Sequence, residues 1–146
     1  MPYSWGLMEQ THDTERIRDH QRHPKTIARW CAEGMIEKKA KDIVIMDIRG
    51  LTDIADFFVV CSADSDTQLR AIADSVMDTM REYDIKPYRT EGWQGEQWII
   101  LDFVEVVVHV FYKEARDFYK IERIWSDAKM ETVVDTAGSH AASSEE

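Results

Sequence analysis

The sequence predicts an α/β domain built on one mixed sheet, and three observations carry that expectation. Apolar runs of strand length occur at 43–48, 56–61, 98–103 and 106–111, rich in β-branched and aromatic residues. Between and after them lie stretches with apolar residues three and four apart, the period of an amphipathic helix. The two types alternate along the chain as αββαβββα, which favours one sheet of about five strands flanked by helices. At 146 residues there is room for one domain with a proper core.

Residues 1–23 are polar, with His12, His20, His23 and several arginines, and are expected to form a flexible extension with at most a frayed helix over 11–22. Pro24 suits the first turn of a helix, where its missing N–H costs nothing. That helix is expected to reach about Lys41, with Ile27, Trp30, Cys31 and Ile36 as its apolar stripe. Gly34 weakens it by about 1 kcal/mol relative to Ala, inviting a bend or split. The 43–48 and 56–61 strands are joined by a short connector, which favours antiparallel neighbours. Ser65 and Gln68 then fit a capping box opening a helix to about Tyr83, striped by Leu69, Ile72, Ala73, Val76, Met77 and Met80.

A short strand is expected over 86–90, then a turn from Gly92 to Gly95. The next two strands, from Trp98 and Val106, are apolar on both faces, the pattern of strands inside a sheet. A last helix follows, with Ala115, Phe118, Ile121 and Trp125 spaced to share one face. The core domain therefore spans 24–130. Residues 131–146 are small, polar and acidic, and read as a disordered tail.

Charge narrows the partners. The formal net charge is −10 at pH 7, and the 131–146 tail contains four acids and no base. A chain of this sign repels phosphate backbones, which argues against direct, non-specific nucleic-acid binding and favours a basic protein surface. No apolar run approaches the length of a bilayer span. The N-terminal residues lack the apolar segment of a secretory signal, and Cys31 and Cys61 show no redox or metal spacing. A cytoplasmic location is the expectation.

Catalytic readings fare poorly. The 62–66 loop before the second helix has no glycine or lysine and contains two acids, Asp64 and Asp66, so it does not suit a phosphate. Asp47, Asp53, Asp56, Asp64, Asp66 and Asp102 are candidate metal ligands, but their spacing brings no set of them to one strand edge. The three N-terminal histidines match no standard metal site. His109 could serve a nucleophile only if a serine stood at a strained turn, and none does; a satisfied core or edge histidine is the simpler reading. No enzyme, cofactor or metal is expected. What remains is a surface with Trp98, Tyr119 and Trp125 beside Asp102, Glu105, Arg116 and Glu122, the composition of an interface centre.

Val44-Ile45-Met46-Asp47-Ile48-Arg49-Gly50-Leu51 and Ala55-Asp56-Phe57-Phe58-Val59-Val60 resemble the opening of the ribosomal silencing factor family (Iojap-like, RsfS). Ser65, Arg70, Ala71, Ile72 and Ala73 continue the likeness. Glu91-Gly92, Trp98, Leu101-Asp102, Val108-His109-Val110-Phe111, Arg116, Tyr119, Glu122 and Trp125 complete it, over roughly 27–126. The resemblance implies a nucleotidyltransferase-like topology without catalysis. It also implies a translational repressor that binds the large ribosomal subunit through large-subunit ribosomal protein fourteen and sterically blocks joining of the small subunit. Organellar relatives assist large-subunit assembly, an alternative use of the same surface, and free members are often homodimers. By this likeness Trp98, Leu101, Asp102, Phe103 and Glu105 lie at or near the contact, joined by Arg116, Tyr119, Glu122 and Trp125. Family members usually have glycine where Val104 and Ala63 stand here, so a positive φ at either would strain this chain.

Overall fold

Strand β2 (Phe57–Ala63) is buried at every position, as its sequence FFVVCSA requires of a strand covered on both faces. It sits near the middle of a six-stranded sheet of order β3-β4-β5-β2-β1-β6, in a computed structural model that describes residues 22–95 and 97–135. The other strands are β1 (Lys41–Asp47), β3 (Arg89–Glu91), β4 (Trp98–Asp102), β5 (Val106–Tyr112) and β6 (Lys129–Val133). Only β2 and β5 run parallel; β1 with β2, β1 with β6, β3 with β4 and β4 with β5 are antiparallel.

Two layers cover the sheet unequally. Helices α1 (Pro24–Glu37) and α2 (Asp66–Glu82) pack on one face, over Ile45, Phe57, Val59, Leu101, Val108 and Val110. Among the described residues the other face has only α3 (Lys113–Tyr119) and the single turn α4 (Ile121–Ile124), whose Ala115 and Ile121 rest among Met46, Phe58, Val60 and Phe111.

Local chemistry accounts for most boundaries. His23 caps α1, its Nδ1 accepting the Lys25 N–H, and Pro24 occupies the first turn. The helix passes through Gly34 without a break. There a Cβ would stand 2.8 Å from Val76 Cα, so glycine lets α1 and α2 approach closely, and the Ser75 hydroxyl donates to the Gly34 carbonyl at 2.7 Å. Ser65 accepts the Gln68 N–H as a cap should, whereas the Gln68 side chain accepts the Asp64 N–H rather than that of Ser65.

The structure corrects the sequence reading at three places. A sixth strand, β6, pairs with β1 along the sheet edge, so 131–133 belong to the domain and not to the tail; Glu131 is held by Lys25 at 3.1 Å and Arg29 at 3.3 Å. The last helix is broken at Lys120, whose φ of 51° ends α3 and starts α4, and Phe118 is 78% exposed rather than on the buried stripe. The short strand falls at Arg89–Glu91, beyond Pro87. Most of the expected N-terminal extension, including His12 and His20, and residues 136–146 of the tail lie outside the described residues.

Candidate docking face

Strand β4 sorts its residues by parity. Ile99 and Leu101 are fully buried beneath α1 and α2, and Phe103 follows them at 8% exposure. Trp98, Ile100 and Asp102 point to the opposite face, where α3 and α4 stop short and leave all three half-buried. Leu101 and Phe103 were expected at or near the contact; the two-residue period of the strand places their side chains in the core. They fix the strand whose other side carries Trp98 and Asp102.

Trp98 is held from three directions. Its ring stacks on Phe111 at 4.7 Å between centroids and tilts against Tyr119 at 4.9 Å. Its indole N–H donates to Nδ1 of His109 at 3.1 Å. His109 is paired across the strands with Ile100 and Val60, and the edge of Phe58 meets its ring at 4.5 Å. Trp125 in turn meets Phe58 edge-on at 5.9 Å. Burial pushes the His109 pKa down to about 3, so the ring is neutral. Nδ1 accepts and the proton must be on Nε2, which is buried without a partner.

Acidic groups rim this aromatic centre. Asp102 accepts the Val104 N–H at 2.8 Å and lies 3.5 Å from Arg89 Nε, while Arg89 Nη1 lies 3.7 Å from Glu91. Glu105 is exposed at the β4–β5 turn, with its carbonyl accepting from the N–H groups of Asp56 and Phe57. Val104, at the tip, has φ 73°. The opposite rim is the α3–α4 elbow, with Tyr119 49%, Phe118 78% and Ile124 68% exposed.

Arg116 and Glu122 support that elbow from beneath. Arg116 is buried: Nε and Nη2 engage both Glu122 oxygens at 3.1 and 2.8 Å, while Nη1 donates to the Asp42 carbonyl at 2.6 Å and Ser62 Oγ at 2.9 Å. A bidentate pair of this kind fixes direction as well as distance. It spans the break at Lys120 and ties the elbow to the bulge of β1, where Asp42 has φ 51°. Arg116 was expected at or near the contact; the residue is 8% exposed and its side chain is bonded to Glu122, Asp42 and Ser62.

The remaining candidates stay apart. Asp47 is paired with Arg49 through two bonds of 2.9 and 2.7 Å, which hold its pKa down to about 2. Asp64 pairs with Lys41 at 2.8 Å. Burial pushes the Cys61 thiol up to about 12 and raises that of Cys31 as well, leaving both protonated. Among the described residues, no three His, Cys, Asp or Glu side chains are grouped to hold a metal ion. Sequence reasoning missed Ile100, Phe58 and Arg89 as parts of the face; the alternation along β4 and the opposed charges of Arg89 and Asp102 were the available signals.

A mixed sheet with one face fully covered and the other left with an aromatic centre and acidic rim defines an α/β domain suited to docking on another macromolecule. The chain belongs to the family described as "Ribosomal silencing factor during starvation", which matches residues 20–146. The ribosomal silencing factor RsfS of Bacillus subtilis is 37% identical over 106 residues, covering 73% of this chain and 90% of that protein. Its counterpart in Halalkalibacterium halodurans is 39% identical over 92 residues, covering 63% and 79%. A crystal structure of a Chromobacterium violaceum protein superposes with a TM-score of 0.70 at 31% identity, over 77% of this chain and 94% of that one. The family is named for a regulatory role on the ribosome.

Proposed function

We propose that this chain is a non-catalytic repressor that binds the large ribosomal subunit through large-subunit ribosomal protein fourteen and blocks joining of the small subunit. The observation that carries the reading is the half-covered sheet face in a member of this family: Trp98 held between Phe111 and Tyr119 at one end of β4, with Asp102 at the other end and Glu105 exposed in the turn beyond it. An aromatic anchor in a partly desolvated pocket is the usual centre of a protein interface. The acidic rim, on a chain of net charge −10, suits a basic ribosomal protein and repels exposed phosphate. Blocking needs only occupied space on the joining face; no bond is broken. Tyr119 and Trp125 extend the contact or its support, Arg116 and Glu122 set the elbow, and Leu101 and Phe103 anchor β4 from behind. In this reading the protein works in the cytoplasm and is a homodimer when free.

Co-sedimentation with purified large subunits tests the proposal, together with the rate of subunit joining followed by light scattering. Binding, and slower joining in proportion to occupancy, is the expected result. Trp98→Ala is expected to weaken binding by at least about tenfold while its circular dichroism stays native, since the ring is half-exposed. Subunits that join at an unchanged rate beside the folded protein would sink the reading.

A further inference from the structure

We propose that His109 is a positioning residue for the docking face: it accepts the Trp98 indole N–H and thereby fixes which edge of that ring faces the partner. This rests on the proposed role of Trp98 and goes beyond it by assigning a role to a buried side chain behind that ring. The geometry has three parts. Stacking on Phe111 and the tilt against Tyr119 locate the plane of the indole but leave it free to slide and turn within that plane. The bond of 3.1 Å from Nε1 to His109 Nδ1 removes that freedom, because an indole has only one donor and among the described residues one acceptor meets it. The third part is the cost accepted for this arrangement. His109 is 5% exposed, among Phe58, Phe111 and Ile100, and its Nε2–H has no partner among the described residues.

A residue selected for packing alone would not leave a donor stranded in an apolar layer; leucine would fill the site without that penalty. Histidine offers what leucine lacks, an acceptor at the Nδ1 position. With burial opposing the imidazolium, Nδ1 remains an acceptor throughout the neutral range.

Two variants of the full-length chain separate positioning from packing. His109→Leu removes the acceptor and the stranded donor together, so it is expected to fold at least as stably. His109→Asn places a carbonyl oxygen near the former Nδ1 and is expected to restore the bond. The first readout is the Trp98 indole N–H resonance, assigned by its loss in Trp98→Phe. Its proton is expected to exchange slowly in the wild type and in His109→Asn, and to shift and exchange rapidly in His109→Leu. The second readout is affinity for purified large subunits, expected to fall about tenfold in His109→Leu and to recover most of the way in His109→Asn. An unchanged indole resonance in His109→Leu overturns the proposal. So does a mobile indole with unchanged affinity when Trp98→Ala weakens binding. If Trp98→Ala itself binds normally, the docking face is wrong and His109 loses its role with it, a result distinguishable from the other two.

Discussion

Val104 takes φ 73° at the tip of the β4–β5 turn, a conformation that crowds a β-branched side chain. The turn closes in spite of it through three bonds: Val104 N–H to Asp102 Oδ1 at 2.8 Å, Glu105 N–H to the Phe103 carbonyl at 3.0 Å, and Phe103 N–H to the Val106 carbonyl at 2.9 Å. Because the side chain is 58% exposed, little packing offsets the strain. Val104→Gly is therefore expected to raise the free energy of unfolding by about 1 kcal/mol, the strain relieved less the extra entropy of glycine in the unfolded chain. Urea denaturation checks this; an unchanged or lower midpoint would mean that the turn is not strained. Ala63, the other position where the family usually has glycine, has no positive φ and lies fully buried in β2, so alanine is comfortable there.

At the level of elements, the α1–α2 contact depends on the missing side chain at Gly34. On an isolated helix Gly34→Ala would help by about 1 kcal/mol. Here the new methyl would meet Val76 backbone at 2.8 Å, and a backbone cannot turn aside as a side chain can. Overpacking of this kind costs about 1–3 kcal/mol, so the variant is expected to unfold at lower urea despite its better propensity. A rise in the midpoint would show that the helices can separate freely. The same comparison explains what was legible. Strands β1, β2, β4 and β5, with helices α1 and α2, were readable because each carries its own period and caps. Strand β6 was not, because KMETV has only Met130 and Val133 as apolar residues and owes its extended form to pairing with β1. Nor was the break at Lys120: the aromatic spacing over 115–125 is helical, and the elbow is imposed by the Arg116–Glu122 pair and the bulge at Asp42. Of the candidate site, the residue types could be read along the chain, but the sorting of Trp98 and Asp102 from Leu101 and Phe103 awaited knowledge of which face the helices cover.

For the molecule as a whole, the same burial that keeps His109 an acceptor makes stability depend on pH. Unfolded, its imidazole titrates near the ordinary 6.5; folded, burial holds the value at about 3. Below about pH 6.5 the unfolded chain therefore takes up a proton that the native chain refuses, and folding loses up to about 1.4 kcal/mol for each further pH unit. The loss has nearly run its course once the pH reaches the folded value. Asp47 acts in the same sense but later. Hydrogen bonds from Arg49 hold its pKa down to about 2 from 3.8, so its contribution is present above the higher value and disappears as pH falls through the lower. The pair lies at the surface, so the Asp47 contribution is small. Carboxylates titrate mostly below the interval from pH 6.5 to 5, and the other four histidines are common to wild type and His109→Leu, so the difference between those two proteins isolates His109. Urea midpoints at pH 7, 6 and 5 are expected to fall more steeply in the wild type than in His109→Leu, which lacks the buried imidazole but keeps the other histidines. Parallel declines in the two proteins would place the titrating group elsewhere and mean that His109 is not shut away from water.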